Sequence, residues 1–252
     1  MIMTKRHREI LTILANTDGG RVTVNQFAER LNVSQATIRQ DLTYLEKGGL
    51  LRRIHGGALL DETDDIAHRM GINYEGKLKI AKSALQFVDD GETILIESGS
   101  INTLFALEIV RSKKNVTIIT SNAFIARQIG KLAENRVILL GGIYQPESES
   151  VVGNLVKECL KVLNFSKAFI GVDGYTKETG FTGRDMMRGD ISSTIAKHSP
   201  QTFILTDSSK FGKIYLSRYL NLDQIDYVLT DEKIPKEYSN HLTQNGVTVI
   251  IT

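Results

Sequence analysis

Two groups of residues in this 252-residue chain have types and spacings that could do chemistry. The first is Glu97-Ser98-Gly99-Ser100-Ile101-Asn102-Thr103, a small, hydroxyl-bearing turn that runs into a helix. Backbone N–H groups and the helix dipole converge at such a turn, so it can cradle a phosphate. Further polar fragments end other apolar runs: Ser121-Asn122, Gly141-Gly142, Gly171-Val172-Asp173-Gly174 and Asp207-Ser208-Ser209-Lys210. Any one of them reads as a turn or a helix cap, because Gly, Ser, Asn and Asp serve those purposes everywhere. Together on one rim of a sheet, they make a polyol-phosphate pocket the better reading. The second group sits on a short helix that Ser34 can cap. With Ile38, Leu42 and Leu45 inward, a turn of about 100° per residue puts Ala36, Gln40, Thr43 and Lys47 outward, flanked by Arg39, with Gln35 and Thr37 in the first turn. These are donors, acceptors and small apolar groups suited to base edges and phosphates in a major groove. Acids are nearly absent there; Asp41 points toward the apolar side, where pairing with a basic neighbour is its expected role.

Catalysis competes with binding for the same carboxylates. An isomerase needs a base near neutral pKa beside the carbon it deprotonates, and a way to stabilise an enediolate. Asp173, Asp185, Asp207 and Lys210 supply a carboxylate and a cation, but no close cluster demands that chemistry. No catalytic residue is therefore assigned, and a pocket kept for binding is the more economical account. His7, His55, His68, His198 and His241 are scattered, without a helix-face pair or a partner cysteine, so neither a metal site nor a cofactor is expected. The single cysteine, Cys159, leaves no disulfide framework, fits a reducing compartment, and reads as a small buried hydrophobe.

The elements that must hold these residues follow from composition and pattern. Hydrophobic residues at 41%, charged residues at 24%, three prolines and 21 glycines describe a folded chain of one large or two modest domains. No run approaches the roughly 18 apolar residues of a membrane span. Met1 to Arg6 leads into a charged amphipathic segment rather than a signal peptide, so a cytoplasmic protein without a membrane partner is expected. Charge is unevenly spread: residues 1–60 hold nine Lys and Arg against five acids, a net of +4, and the remainder is −2. One end is thus suited to a polyanion. Ile10, Leu11, Ile13 and Leu14 form the stripe of a first helix closed by Asp18-Gly19-Gly20. Thr23 to Asn25 can cap a second helix with Phe27, Ala28 and Leu31 inward, stopped near Asn32-Val33. The third ends at Gly48-Gly49, glycines that tolerate φ > 0, and Leu50 to Ala58 reads as a β-hairpin wing. Arg52 and Arg53 are placed there to meet a DNA backbone, Gly56 allows close approach, and His55 is expected in a turn or on a phosphate.

Residues 59–75, with an acidic run from Asp61 to Asp65, lack a period and read as a linker. From Lys77 onward, strands alternate with helices, which predicts an α/β domain. The expected strands are 93–96, 116–120, 137–140, 168–172, 202–206, 227–229 and 247–251, with helices including 77–87, 102–110 and 123–132. Ligands of such sheets sit outside the strand C-termini.

Val33-Ser34-Gln35-Ala36-Thr37-Ile38-Arg39-Gln40-Asp41-Leu42, then Leu45-Glu46 and Arg53-Ile54-His55-Gly56-Gly57-Ala58, resembles the signature of the DeoR family of bacterial transcription regulators. One departure is that the family usually has two consecutive arginines where this chain has Arg39-Gln40, which implies an altered base preference or one lost phosphate contact. The fragments after residue 76 resemble the family's sensor domain, similar in fold to ribose-5-phosphate isomerase. The resemblance implies a phosphorylated sugar or related metabolite as effector. It implies that Ser98, Gly99, Ser100, Asn102 and Thr103 hold the phosphate with Ser121 and Asn122 nearby, and that Glu97, Asp173, Asp207 and Lys210 contact hydroxyls or fix the pocket. The family more often has Asp at position 97 and Thr at 102, so the longer acid and the amide imply a different fit for the sugar.

The expected architecture is a winged helix-turn-helix domain over 1–58, a linker over 59–75 and an α/β effector-binding and oligomerisation domain over 76–252. The expected function is repression of a carbohydrate operon through operator double-stranded DNA, by at least a dimer because two reading heads match two half-sites. The competing readings are a sugar-phosphate isomerase with a DNA-binding appendage, and an architectural DNA binder without an effector.

Overall fold

The structure, a computed structural model, describes residues 4–17, 20–48, 50–59, 66–130 and 135–252. It forms two compact units, Met1–Glu75 and Gly76–Thr252. Asp18-Gly19, Gly49, the acidic run 61–65 and the end of the helix expected over 123–132 lie outside the described residues.

In the first unit α1 spans Lys5–Ala15, β1 Arg21–Thr23, α2 Val24–Leu31, α3 Gln35–Lys47, β2 Arg52–Ile54, β3 Gly57–Leu59 and α4 Ile66–Gly71. Three side chains set the helix starts. Thr4, Thr23 and Ser34 each accept a hydrogen bond from the backbone N–H three residues on, which satisfies a donor that the helix itself cannot. Asn32 ends α2 at φ 51°, a left-handed conformation that its short polar side chain tolerates, and turns the chain into α3. Ile10, Leu11, Leu14, Phe27, Ile38, Leu42 and Leu45 are all completely buried. Each stabilises the unit by about 1.5–3 kcal/mol relative to exposure.

The wing is the antiparallel pair of β2 and β3, and β1 completes it in the order β1-β3-β2. Gly57 is required by proximity, since a Cβ there would lie 2.3 Å from the Val22 carbonyl oxygen. Gly48 caps α3 at φ −81°, its N–H bonded to the Tyr44 carbonyl oxygen at 3.2 Å, and Gly49 lies outside the described residues. One expectation is corrected. The stretch read as a linker holds α4, whose Ile66 and Met70 are buried and which packs on α1; six residues are too few to show a period.

The helix α5, Tyr74–Ala84, starts at the end of the first unit and continues in the second. There follow β4 (Thr93–Ile96), α6 (Ser100–Ser112), β5 (Thr117–Thr120), α7 (Ala123–Ile129), β6 (Arg136–Leu139), β7 (Ile143–Gln145), β8 (Ser150–Val152) and α8 (Asn154–Lys161). The chain goes on through β9 (Lys167–Ile170), β10 (Gly174–Thr176), β11 (Gly180–Gly183), α9 (Met186–His198), β12 (Thr202–Leu205), β13 (Ser217–Leu220), β14 (Tyr227–Thr230), α10 (Lys236–Gln244) and β15 (Thr248–Ile251). Seven strands pair in parallel as β15-β14-β12-β9-β4-β5-β6. They correspond to the seven expected ones, shifted by a residue or two at their ends. Central strands such as β12, buried along their whole length, carry continuous apolar runs, as sheets covered on both faces require.

The order reverses at β4. From it the chain winds to β5 and β6 on one side, then returns with β9 on the other. The gap beyond the C-terminal ends of β4 and β9 is therefore the switch point where open α/β sheets bind ligands. Two small antiparallel sheets, β7-β8 and β10-β11-β13, are added to this frame.

Candidate DNA-reading face and strand-rim site

The reading face is built on α3. Its buried side holds Ile38, Leu42 and Leu45, and its opposite side exposes Gln35, Ala36, Arg39, Gln40 and Lys47, with Thr37 and Thr43 half-buried. Ser34 accepts from the Thr37 N–H at 3.1 Å, and no acid lies in the first turn, so the positive end of the helix is open to an anion. Arg39 donates to Gln35 Oε1 at 3.2 Å, which holds its guanidinium along the exposed side. The wing reaches the same face: Arg53 Nη1 donates to Thr43 Oγ1 at 2.8 Å, while the Arg53 N–H is fixed by Glu46 at 2.9 Å. Arg39, Arg53, Gly56 and Gly57 join the start of α2 around a cleft of about 310 Å³. Arg52 and His55 are exposed on the hairpin, whose turn Gly56 makes at φ 77°.

Asp41 holds the helix in place from behind. Its carboxylate accepts from Arg6 through both Nε and Nη2 and lies 3.1 Å from His7 Nε2, joining α3 to α1. His7 in turn stacks on Tyr44, with ring centroids 4.6 Å apart. Tyr44 lines the exposed side of α3 beside Arg39, Gln40, Thr43 and Lys47, and the sequence reading omitted it. Its aromatic ring sits between the helix faces, where periodicity alone does not decide its side.

The second site lies at the switch point. Gly99 starts α6 at φ 115° without any side-chain cap, so the first N–H groups of the helix are left for an anion. The loops after β4 and β9 touch: a Cβ on Gly171 would lie 2.5 Å from the Ser98 carbonyl oxygen. Asn102, fully buried, ties them by donating to the carbonyl oxygens of Ser98 at 2.7 Å and Phe169 at 3.2 Å. Glu97 is buried and accepts from Ser98 Oγ at 3.0 Å. Burial pushes its carboxyl above the ordinary range, against the opposing pull of that hydroxyl and of the Arg188 charge. Glu97 Oε2 and Asn102 Oδ1 are buried with no hydrogen-bond partner.

The remaining rim residues divide. Ser121 approaches the Glu97 carbonyl oxygen at 3.5 Å. Asp173 is buried on the β9 side and accepts from the Arg184 N–H at 3.2 Å. Thr103 spends its hydroxyl on the Gly99 carbonyl oxygen, and Asn122 caps α7 while donating to the Ser148 carbonyl oxygen, so both act as struts. Ser100, in the first turn of α6, is half-buried. Gly141 and Gly142 follow β6 at the sheet edge, and Gly142 lets the β7-β8 hairpin approach, since a Cβ there would lie 2.5 Å from the Val152 carbonyl oxygen. Asp207 caps the 3-10 turn Ser208–Lys210 beyond β12, one strand past β9, and Lys210 is half-buried at its end.

Two residues that the sequence reading did not single out complete the cluster. Arg188 is buried in α9 and acts electrostatically on both Glu97 and Tyr219. The Tyr219 ring lies over Gly183 and Gly189, either of which would strike it with a Cβ, and burial pushes its phenol well upward. Arg188 carries no sequence signal, because nothing in Met186-Met187-Arg188-Gly189-Asp190 distinguishes a buried arginine from a solvated one. The glycines at 183 and 189 are the trace that could have pointed to Tyr219. Among the described residues no group of His, Cys, Asp and Glu could hold a metal ion.

The chain matches the DeoR-like helix-turn-helix domain over residues 6–64 and the DeoR C-terminal sensor domain over residues 72–232. It is 28% identical to the HTH-type transcriptional regulator IolR of Bacillus subtilis, over 91% of this chain and 92% of that protein. It is 30% identical to the lactose phosphotransferase system repressor of Lactococcus lactis subsp. lactis, over 95% of this chain and 96% of the relative. Among solved structures it is similar to ribose 5-phosphate isomerase A of Methanocaldococcus jannaschii, with a TM-score of 0.40, 21% identity and 55% of each chain covered. It is also similar to eIF2B beta of Chaetomium thermophilum, with a TM-score of 0.47, 13% identity, and 62% and 48% covered. Two domain matches in series, joined to full-length relatives that regulate transcription, place this chain in the DeoR family of transcription regulators.

Proposed function

We propose that the chain represses a carbohydrate operon, reading operator DNA with α3 and the wing and responding to a phosphorylated sugar bound at the switch point. The observation that carries the effector half is the convergence there of an uncapped helix start with two buried oxygens that lack a partner. The helix start suits a phosphate, and a polyol hydroxyl supplies the missing hydrogen bonds. Ser98, Gly99 and Ser100 are assigned to the phosphate end, with Ser121 behind them, and Asn102, whose free atom is an acceptor oxygen, to the hydroxyl end. Glu97 and Asp173 are assigned to the hydroxyl end, with Asp207 and Lys210 at its margin and Thr103, Asn122, Gly141 and Gly142 shaping the walls.

On the DNA side, Arg39 and Gln40 read base edges with Gln35, Ala36 and Thr43, while Ser34, Thr37, Lys47, Arg52, Arg53, His55 and Gly56 face the backbone. The working site is the cytoplasm, and the ligand acts by binding one arrangement of the reading heads more tightly than another. The sugar is bound and not turned over in this reading, which the transcription regulators related to this chain along its length support.

A thermal-shift screen against phosphorylated sugars and their unphosphorylated counterparts tests the reading, with each hit retested for operator release and for turnover. A phosphosugar that stabilises the protein, changes DNA affinity and is recovered unchanged is the expected result. Consumption of the hit would make the protein an enzyme, and no hit in the panel would remove the sugar-phosphate effector.

A further inference from the structure

Gln40, Thr43, Tyr44 and Lys47 stand at i, i+3, i+4 and i+7 on α3, one stripe along the helix, and with Arg39 they line a surface hollow of about 370 Å³. Tyr44 is the one aromatic among them and is 36% exposed. Its ring is held from behind. It stacks on His7 with centroids 4.6 Å apart, and His7 is itself fixed at both nitrogens, Nδ1 accepting from the Thr4 N–H at 3.3 Å and Nε2 lying 3.1 Å from Asp41. Thr43 spends its hydroxyl proton on the Arg39 carbonyl oxygen at 2.8 Å and accepts from Arg53 Nη1 at 2.8 Å, which leaves its methyl as the group it can turn to a base. The Arg39 guanidinium is drawn toward the start of the helix by Gln35 Oε1. The hollow is thus walled by a ring, a methyl and the aliphatic stems of Arg39 and Lys47, with two cations at its border.

We propose that Tyr44 reads the C5-methyl of a thymine in the operator, a specificity contact that rests on the assignment of α3 as the DNA-reading helix. Base edges in the major groove present hydrogen-bonding groups and one methyl, that of thymine. An apolar wall placed among them selects for that methyl and gives nothing to a donor or an acceptor, while the bordering cations meet the phosphates on either side. Helices that lie in the major groove reach bases from a stripe at this spacing. Because the ring is already stacked on His7, little side-chain freedom is lost when DNA arrives. The competing role for this residue is a phosphate contact through the phenol hydroxyl, which would carry no preference for a base.

The test uses the full chain and duplex DNA that it enriches from a random-sequence pool, with each thymine of the enriched site replaced in turn by deoxyuridine, which removes the methyl and nothing else. The wild type is expected to lose about three- to fivefold in affinity at one thymine or at a symmetric pair, the worth of one buried methyl. Tyr44→Ala is expected to bind the thymine and deoxyuridine duplexes alike, and Tyr44→Phe to keep the wild-type ratio because the ring remains. Should Tyr44→Ala not fold, Tyr44→Gln is put to the same comparison. Wild-type binding that is indifferent to every replacement, or a folded Tyr44→Ala that still discriminates, overturns the proposal and leaves α3 as the DNA-reading helix. Loss of discrimination in Tyr44→Phe overturns it too, by moving the contact to the hydroxyl. A pool in which no sequence is enriched would sink both the proposal and the assignment of α3 on which it rests.

Discussion

Glu97 and Arg39 show how one side chain can be tested for one task. The Glu97 carboxyl is held above its ordinary range by burial, so the fold favours its neutral form. Stability from this group is complete below the unfolded value and is lost as pH rises through the folded one. Glu97→Gln removes that dependence, so its melting temperature should fall less than that of the wild type between about pH 5 and about pH 8. A parallel fall in both proteins would mean that the carboxyl is ionised in the fold. On the other unit, Arg39→Ala should weaken operator binding by about 1–3 kcal/mol and relax preference at one base pair, read by fluorescence anisotropy over a set of single-site operator variants. A uniform loss across all variants would reassign the arginine to a phosphate. The exposed side of α3 was legible in the sequence because a 3.6-residue period with Ile38, Leu42 and Leu45 inward leaves no choice for Gln40 or Lys47. The partners of Glu97 were not, because Arg188 and Tyr219 reach it from elements more than 90 residues away.

Elements are tied to one another by a few ionic contacts whose loss has a direction. Asp41 is the joint between α1 and α3, and Asp41→Ala leaves His7 buried without it and strips Arg6 of its carboxylate. A loss of about 1–3 kcal/mol is expected, below that of a fully buried pair because Arg6 is partly exposed, and DNA affinity should fall with it as α3 loosens. In the sheet, burial raises the Glu92 carboxyl, but hydrogen bonds from Lys167 and Ser166 outweigh burial and hold it below the ordinary range. Its contribution is therefore present above the unfolded value and lost as pH falls through the folded one. Lys167→Met should move the acid unfolding midpoint to higher pH, and an unchanged midpoint would show the pair to be idle. The seven parallel strands were legible because each is an apolar run bounded by turn residues. The hairpin strands β7, β8 and β10 were not, since three residues cannot display an alternation, and β1 was hidden because Thr23 both ends it and caps α2.

At the scale of the whole molecule, the proposed effector site is joined by hydrogen bonds to the β7-β8 hairpin and to the start of α9 within the second unit. Gln145 on β7 donates to Asp185 at 3.1 Å, Asp185 caps α9 just before Met186 and Met187, and the preceding Arg184 N–H bonds to Asp173. A ligand that draws on Asp173 thus acts one residue away from the cap of α9. Gln145→Ala should preserve ligand affinity while reducing the change in operator affinity that ligand produces, measured by titrating DNA with and without the phosphosugar. An undiminished response would exclude this route. The division of α3 into a packed side and a reading side has a consequence for how regulators of this kind diverge. Positions 35, 36, 39, 40 and 47 are exposed, so a duplicated gene can acquire a new operator by drifting there without crossing a folding barrier. Two descendants would then share a scaffold and a signal while no longer answering to each other's promoters.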